Sequence, residues 1–192
     1  MRMRLRNPTI LSSITLLMAV GCGSAGEADP IPRRDLYDYS SPEAAFRSYQ
    51  KAVRGEDLDG VAIHSWYLMK ISGKSAFATS TNYAGLLQQY RAQTNLSFGR
   101  FDATPTFIGG GQLKWSQARF VRELSRTFTE QRGGITTCAF IVDWPDAGKQ
   151  VELSAYKFAT ADQWWFWPLA GQGDPHIKSP APATWVRNLT VQ

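Results

Sequence analysis

The sequence predicts an α+β fold in which N-terminal helices pack on one antiparallel meander sheet. Three observations lead to it. Apolar residues recur at helical spacing between residues 41 and 94. From residue 118, turn sequences divide the chain into four segments rich in β-branched and aromatic residues. The length of 192 residues fits one compact domain. Helices followed by strands with short connections are typical of helices covering one face of an antiparallel sheet.

The N-terminal sequence predicts an export signal. Arg2, Arg4 and Arg6 precede the apolar run 10–20, which is shorter than the roughly 20 residues that a membrane-spanning helix needs. Small residues then precede Cys22, and this segment resembles the lipobox of bacterial lipoproteins. The resemblance implies a lipoprotein signal peptide over 1–21 and acylation of Cys22. The alternative is an ordinary signal peptide followed by a cysteine without that role.

The predicted location follows from this signal. By resemblance the protein is exported and anchored by lipid in the bacterial cell envelope. Gly23 carries no inner-membrane retention signal, so an outer membrane is favoured where the source has one. Residues 22–40 are predicted to be a flexible tether. Loss of residues 1–21 removes three arginines and leaves 18 basic against 16 acidic residues, so the charge gives no reason to expect nucleic acid as a partner.

Three amphipathic helices are expected in order. Ser41 can cap the first helix, with Pro42 at its first position and Gly55 at its end. Asp57 can cap a second helix, in which Gly60 costs about 1 kcal/mol relative to alanine. The third helix is predicted over 81–94.

The strands follow a glycine run. Short extended pieces are predicted at 104–108 and 112–115, on either side of three glycines. Four strands are then predicted, over 118–130, 135–144, 149–160 and 164–169. In the first of them, Phe120, Val121, Leu124 and Phe128 also fit a helix. A strand is favoured there because threonines and a Gly-Gly turn follow. Residues 171–192 are predicted to be a C-terminal tail.

Two stretches resemble a known superfamily. The sequences Ser41-Pro42-Glu43-Ala44-Ala45-Phe46 and Gly55-Glu56-Asp57-Leu58 resemble the first helices of nuclear transport factor 2-like proteins, which include ketosteroid-isomerase-like and polyketide-cyclase-like members. The run Asp162-Gln163-Trp164-Trp165-Phe166-Trp167 is similar to their closing turn and last strand. The resemblance covers 41–170. It implies a cone-like domain in which a curved sheet wraps the helices around a pocket, and it also implies dimerisation through the sheet.

Motifs for cofactors, metals and nucleophilic catalysis are incomplete. The run Gly73-Lys74-Ser75 lacks the first glycine of a P-loop, because Leu68 stands there. His64 and His176 lack metal-ligand spacing, and Cys138 lies in an apolar run typical of a buried thiol. We therefore predict no cofactor, no metal and no catalytic residue.

The candidate pocket residues are His64, Tyr67 and Asp102. A carboxylate or phenol on an apolar wall can serve as an acid or base, because burial raises its pKa. The alternative for each is a hydrogen-bonded or exposed residue without a functional role.

The tryptophan strand is the other candidate site. Alternation places Trp164 and Phe166 on one face and Trp165 and Trp167 on the other. If Trp165 and Trp167 are exposed, they form an apolar patch that marks a protein interface or a groove for a small ligand or glycan. Alternatively, the C-terminal tail covers them.

The expected function is a lipid-anchored envelope protein with a non-catalytic binding or interaction domain. The partner would be an envelope protein, a small apolar ligand or a glycan, with the homodimer implied by the resemblance. The alternative is a cone-pocket enzyme of the isomerase, cyclase or dehydratase type.

Overall fold

A computed structural model describes residues 29–72, 82–95, 97–105, 108–109, 112–130, 134–166 and 187–189. The predicted signal peptide, Cys22, the Gly-Lys-Ser run at 73–75, Trp167 and His176 lie outside these residues.

The described residues contain the three predicted helices and a short fourth one. The helices are α1 (Pro42–Arg54), α2 (Leu58–Ser72), α3 (Tyr83–Thr94) and α4 (Gly99–Asp102). The Ser41 hydroxyl caps α1 by accepting the Ala44 N–H at 3.1 Å. Asp57 opens α2 in the same manner, because its Oδ1 accepts the N–H groups of Asp59 at 3.1 Å and of Gly60 at 3.3 Å. Both predicted caps are confirmed.

The sheet is an antiparallel meander in the order β1-β2-β3-β4. Its strands are β1 (Arg119–Thr129), β2 (Ile135–Trp144), β3 (Lys149–Phe158) and β4 (Trp164–Phe166). The predicted α+β class is therefore confirmed, and the ambiguous segment at 118–130 is a strand. A further strand, β5 (Arg187–Leu189), pairs with Gln150–Glu152 of β3, beside the residues that pair with β4. The predicted C-terminal tail thus contributes a strand to the sheet.

The predicted extended pieces at 104–108 and 112–115 form no named strand in their described residues, which include a turn at 108–109. One isolated bridge joins Ala103 to Lys114, and a turn of 3₁₀ helix follows over Trp115–Gln117. The Thr104 N–H also donates to the Leu113 carbonyl at 3.1 Å, so the two pieces lie side by side, and the Asp102 carboxylate accepts the Ser116 N–H just beyond the second piece.

The core lies between the helices and one face of the sheet. Its largest fully buried side chains include Phe46 and Tyr49 of α1, Phe140 of β2 and Phe166 of β4. Phe166 contacts each of the other three rings, with ring centroids 5.0–6.1 Å apart. This aromatic cluster fixes β4 against α1, and α2 packs beside it.

Residues 29–40, which the sequence assigns to the tether, instead pack on the domain. Tyr37 and Tyr39 are 7% and 3% exposed, and the Tyr39 carbonyl accepts the Trp164 N–H at 2.8 Å. The Ser48 hydroxyl binds both backbone groups of Asp38. The packed domain therefore begins before α1, and we call residues 29–40 the N-terminal segment.

None of the described helices is both long enough and apolar enough to cross a membrane.

Candidate functional site

Two of the three candidate pocket residues lie together, against Trp165. His64 and Tyr67 come from α2, and Trp165 comes from β4. The His64 ring stands edge-to-face to Trp165 at 5.7 Å between centroids. Tyr67 stacks on the same indole at 4.0 Å, with only 7° between the planes. The structure therefore assembles a cluster of aromatic rings there.

The His64 side chain accepts a backbone hydrogen bond from the edge of β4 that does not pair with β3. The imidazole is fully buried, and its Nδ1 accepts the Phe166 N–H at 3.2 Å. The proton of the neutral ring must then lie on Nε2, which is buried and has no hydrogen-bond partner among the described residues. Burial lowers the pKa of His64 to about 3. The side chain is therefore uncharged at neutral pH and holds a strand.

Trp165 is enclosed, so of the two alternatives the structure favours a covered residue, although the N-terminal segment and α2 cover it and not the predicted C-terminal tail. It is fully buried, and Tyr39 of the N-terminal segment lies against it at 4.8 Å between ring centroids. Tyr67 covers it from α2, and the Tyr67 hydroxyl donates to the Pro30 carbonyl at 3.0 Å. Strand alternation alone is misleading here, because β4 lies at the sheet edge, where the N-terminal segment and α2 can reach both sides of it. Trp167 lies outside the described residues.

Asp102 is engaged away from this cluster. Its Oδ1 accepts the Ser116 N–H and its Oδ2 accepts the Ser116 hydroxyl, both at 2.7 Å. Both carboxylate oxygens thus hold the loop before β1. The structure does not bring Asp102 into a site with His64 and Tyr67.

A cavity that sequence reasoning missed lies between the N-terminal segment and helices α2 and α3. Its volume is about 220 Å³. Most of its lining comes from the segment and from the first turns of the two helices. The lining residues are Pro30, Ile31, Arg33, Tyr37, Tyr39, Asp59, Gly60, Ile63 and Tyr83. The signal in the sequence was the alternation Tyr37-Asp38-Tyr39-Ser40, in which the apolar residues at period two are the buried ones.

The polar lining residues make two sets of contacts, one with Asp57 just outside the lining and one with Asp59. The Tyr37 hydroxyl donates to Asp57 Oδ2 at 2.5 Å, and Arg33 Nη1 lies 3.5 Å from the same oxygen. The Tyr83 hydroxyl lies 3.4 Å from the carbonyl and from Oδ1 of Asp59. Burial, with a contribution from these carboxylates, raises the pKa values of Tyr37 and Tyr83, so both phenols are neutral at pH 7.

Gly60 shapes the wall of the cavity. A Cβ built on it would meet the Ala52 Cβ at 2.7 Å and the Tyr37 hydroxyl at 2.8 Å. Only a residue without a side chain lets Tyr37 and α1 approach α2 this closely. The glycine that seemed to weaken α2 in the sequence is thus what allows the segment to dock.

Two wider surface grooves border the same segment. One, of about 310 Å³, runs along 34–40 to Asp162 and Gln163. The other, of about 360 Å³, lies between Leu36 and α1. Both are lined mainly by charged and small polar side chains. The smaller cavity has the most aromatic lining of the three, and aromatic walls with a few polar groups are the usual composition of a ligand site.

Metal and thiol chemistry have no support in the described residues. Within them, no group of three or more His, Cys, Asp or Glu side chains could hold a metal ion. Cys138 is buried, and burial raises the pKa of its thiol to about 11. The thiol is therefore protonated at neutral pH and poorly nucleophilic.

Comparison with known proteins gave no relative. No protein-family model, no curated protein and no solved structure matches this chain.

Proposed function

We propose that the protein is a lipid-anchored envelope protein whose domain binds a small ligand without catalysing its reaction. The observation that carries this proposal is the aromatic cavity between the N-terminal segment and the two helices. In this proposal Cys22 carries the anchor, and the domain is a nuclear transport factor 2-like cone. The pattern around Cys22 and the helix-then-meander order support these two parts.

The contacts of the candidate residues favour binding over catalysis. His64 uses Nδ1 to hold β4, and its pKa of about 3 makes it a poor base at neutral pH. Both oxygens of Asp102 bind Ser116. The Tyr67 hydroxyl is engaged by Pro30. Each group is thus committed to a structural contact.

A cone-pocket enzyme of the isomerase, cyclase or dehydratase type is the second candidate. One observation favours it, since Asp59 and the Tyr83 phenol share the cavity and together offer a carboxylate and a proton donor. However, Asp59 is exposed to solvent, whereas acid–base carboxylates are usually tuned by desolvation. The binding function is therefore preferred.

The test is ligand-observed NMR on the full chain with three probes, namely choline, benzyl alcohol and N-acetylglucosamine. We expect at least one probe to bind, and Ile63→Phe to abolish its binding by filling the cavity from α2. Ile141→Phe is the matched control, because Ile141 is similarly buried (6% against 4% exposed) but does not line the cavity. Absence of binding by all three probes, or equal loss in both variants, would contradict the proposal.

A further inference from the structure

The cavity combines three aromatic rings with a carboxylate, and this combination indicates the charge of its ligand. We propose that it binds a small organic cation with a primary or quaternary ammonium group. This inference rests on the proposed binding function and specifies the ligand class.

The three rings come from two parts of the chain, and all three residues line the cavity. Tyr37 and Tyr39 belong to the N-terminal segment, and their ring centroids are 6.4 Å apart. Tyr83 is the first residue of α3 and also lines the cavity. Aromatic faces carry partial negative charge and attract cations, and several rings around one space are the usual way to bind an ammonium ion. A quaternary ammonium cannot donate a hydrogen bond, so rings suit it better than carbonyls do.

Asp59 supplies the formal negative charge. It lines the cavity, and within the described part of the chain its carboxylate has no ion-pair partner, only the Tyr83 hydroxyl at 3.4 Å. Asp57 differs, because Arg33 and Tyr37 already occupy its Oδ2. A cation entering the cavity would therefore find one unneutralised carboxylate beside three neutral phenols.

The one cationic residue of the lining does not favour an anion. Arg33 is 49% exposed and turns towards Asp57 at 3.5 Å. An anionic ligand would have to compete with Asp57 for this guanidinium while facing Asp59. The volume of about 220 Å³ is below the roughly 300–1,000 Å³ of sites for drug-sized molecules, so the ligand has few heavy atoms.

The experiment compares choline with 3,3-dimethylbutan-1-ol, which has nearly the same shape but no charge. Affinities for the full chain are measured by NMR titration at low ionic strength. We expect choline to bind about tenfold more tightly or better, since cation–π contacts and the carboxylate act only on the charged probe. Raising the salt concentration should weaken choline binding and leave the alcohol unaffected.

Two pairs of variants test whether Asp59 and Tyr83 are responsible for the affinity for choline. Asp59→Asn should weaken choline binding about tenfold, whereas Asp146→Asn, which removes an exposed carboxylate on the β2–β3 turn, should not. Tyr83→Leu should weaken choline binding about tenfold, whereas Tyr83→Phe, which keeps the ring, should stay within about threefold. Thermal melting of each variant verifies folding.

The outcomes separate this inference from the proposed function. Equal affinity for choline and the neutral alcohol, or an unchanged choline affinity in Asp59→Asn, overturns the cation inference. If benzyl alcohol or N-acetylglucosamine binds in an Ile63-dependent way and choline does not, the binding function stands and the cation inference fails. If choline binds, titration with glycerophosphocholine shows where the natural ligand comes from. Tighter binding of glycerophosphocholine than of choline indicates a lipid headgroup. Weaker binding indicates a free organic ammonium compound.

Discussion

The side chain of His64 lies where the carbonyl of a further strand would lie beside β4. Its Nδ1 accepts the outward Phe166 N–H, and the Tyr39 carbonyl accepts the outward Trp164 N–H two residues earlier. An exposed strand edge can pair with other chains, so folded proteins usually cover it. A side chain and a segment of backbone together cover the edge of β4.

This contact predicts that stability depends on the protonation of His64. The pKa is about 3 in the folded protein and near 6.5 in the unfolded chain, so the unfolded chain binds the proton more tightly. The contribution of His64 to stability is therefore fully present above pH 6.5 and is lost as the pH falls towards 3. We expect a loss of about 1–2 kcal/mol between pH 6.5 and 5, measured by urea unfolding.

The control for this pH dependence is His64→Gln. The amide oxygen of glutamine can accept the Phe166 N–H but does not titrate in this range. Between pH 6.5 and 5, its free energy of unfolding should change by about 1–2 kcal/mol less than that of the wild type. The same slope in both proteins would show that His64 is not the titrating group.

Two bulges in strand β1 explain why its sequence also fits a helix. The pairing of β1 with β2 is interrupted between Phe120 and Arg122 and again between Glu123 and Ser125. Val121 and Leu124 are the extra residues, and both are partly exposed, at 43% and 39%. Each bulge shifts the alternation of the strand by one residue. The apolar spacing then approaches that of a helix, and no single-sequence pattern distinguishes the two.

Gly60 of α2 has no room for a side chain, so replacing it should destabilise the fold. Alanine would favour the helix by about 1 kcal/mol, but its Cβ would lie within 3 Å of both Tyr37 and Ala52. We expect Gly60→Ala to reduce the free energy of unfolding by about 1–3 kcal/mol, as overpacking of a core does. Urea unfolding measures the change.

A double-mutant cycle assigns this cost to the segment. In the background Tyr37→Ala, the ring that Gly60 accommodates is absent, so Gly60→Ala should cost less by about 1 kcal/mol or more. An equal cost in both backgrounds would place the strain elsewhere, against Ala52 of α1.

At the scale of the whole molecule, local signals predicted the helices and strands but not the site. Caps such as Ser41 and Asp57 act within four residues, so the sequence reveals them. The cavity instead requires Tyr39 to meet β4 and Tyr83 to approach Asp59, and these contacts join separate parts of the chain. The N-terminal segment also follows a run of small residues with a linker-like composition, which concealed its alternating aromatics.

Acylation of Cys22 would anchor the whole molecule to lipid, and this prediction can be tested by labelling. Growth with radiolabelled fatty acid should label the wild-type protein and not Cys22→Ser, because acylation requires the thiol. Cys138→Ser is the matched control, since this buried cysteine should leave labelling unchanged. Equal labelling of the wild type and Cys22→Ser would rule out this anchor.

If Cys22 carries the proposed lipid, the docking of the N-terminal segment also limits how far the domain can stand from a membrane. With Cys22 acylated, only the stretch from there to Asp29 separates the lipid from the packed chain, and at 3.3–3.6 Å per residue it spans at most about 25 Å. Pro30 and Ile31 come next and line the cavity. With such an anchor this part of the cavity would lie close to the lipid surface, where molecules released from or bound to the bilayer are the nearest candidates to enter it.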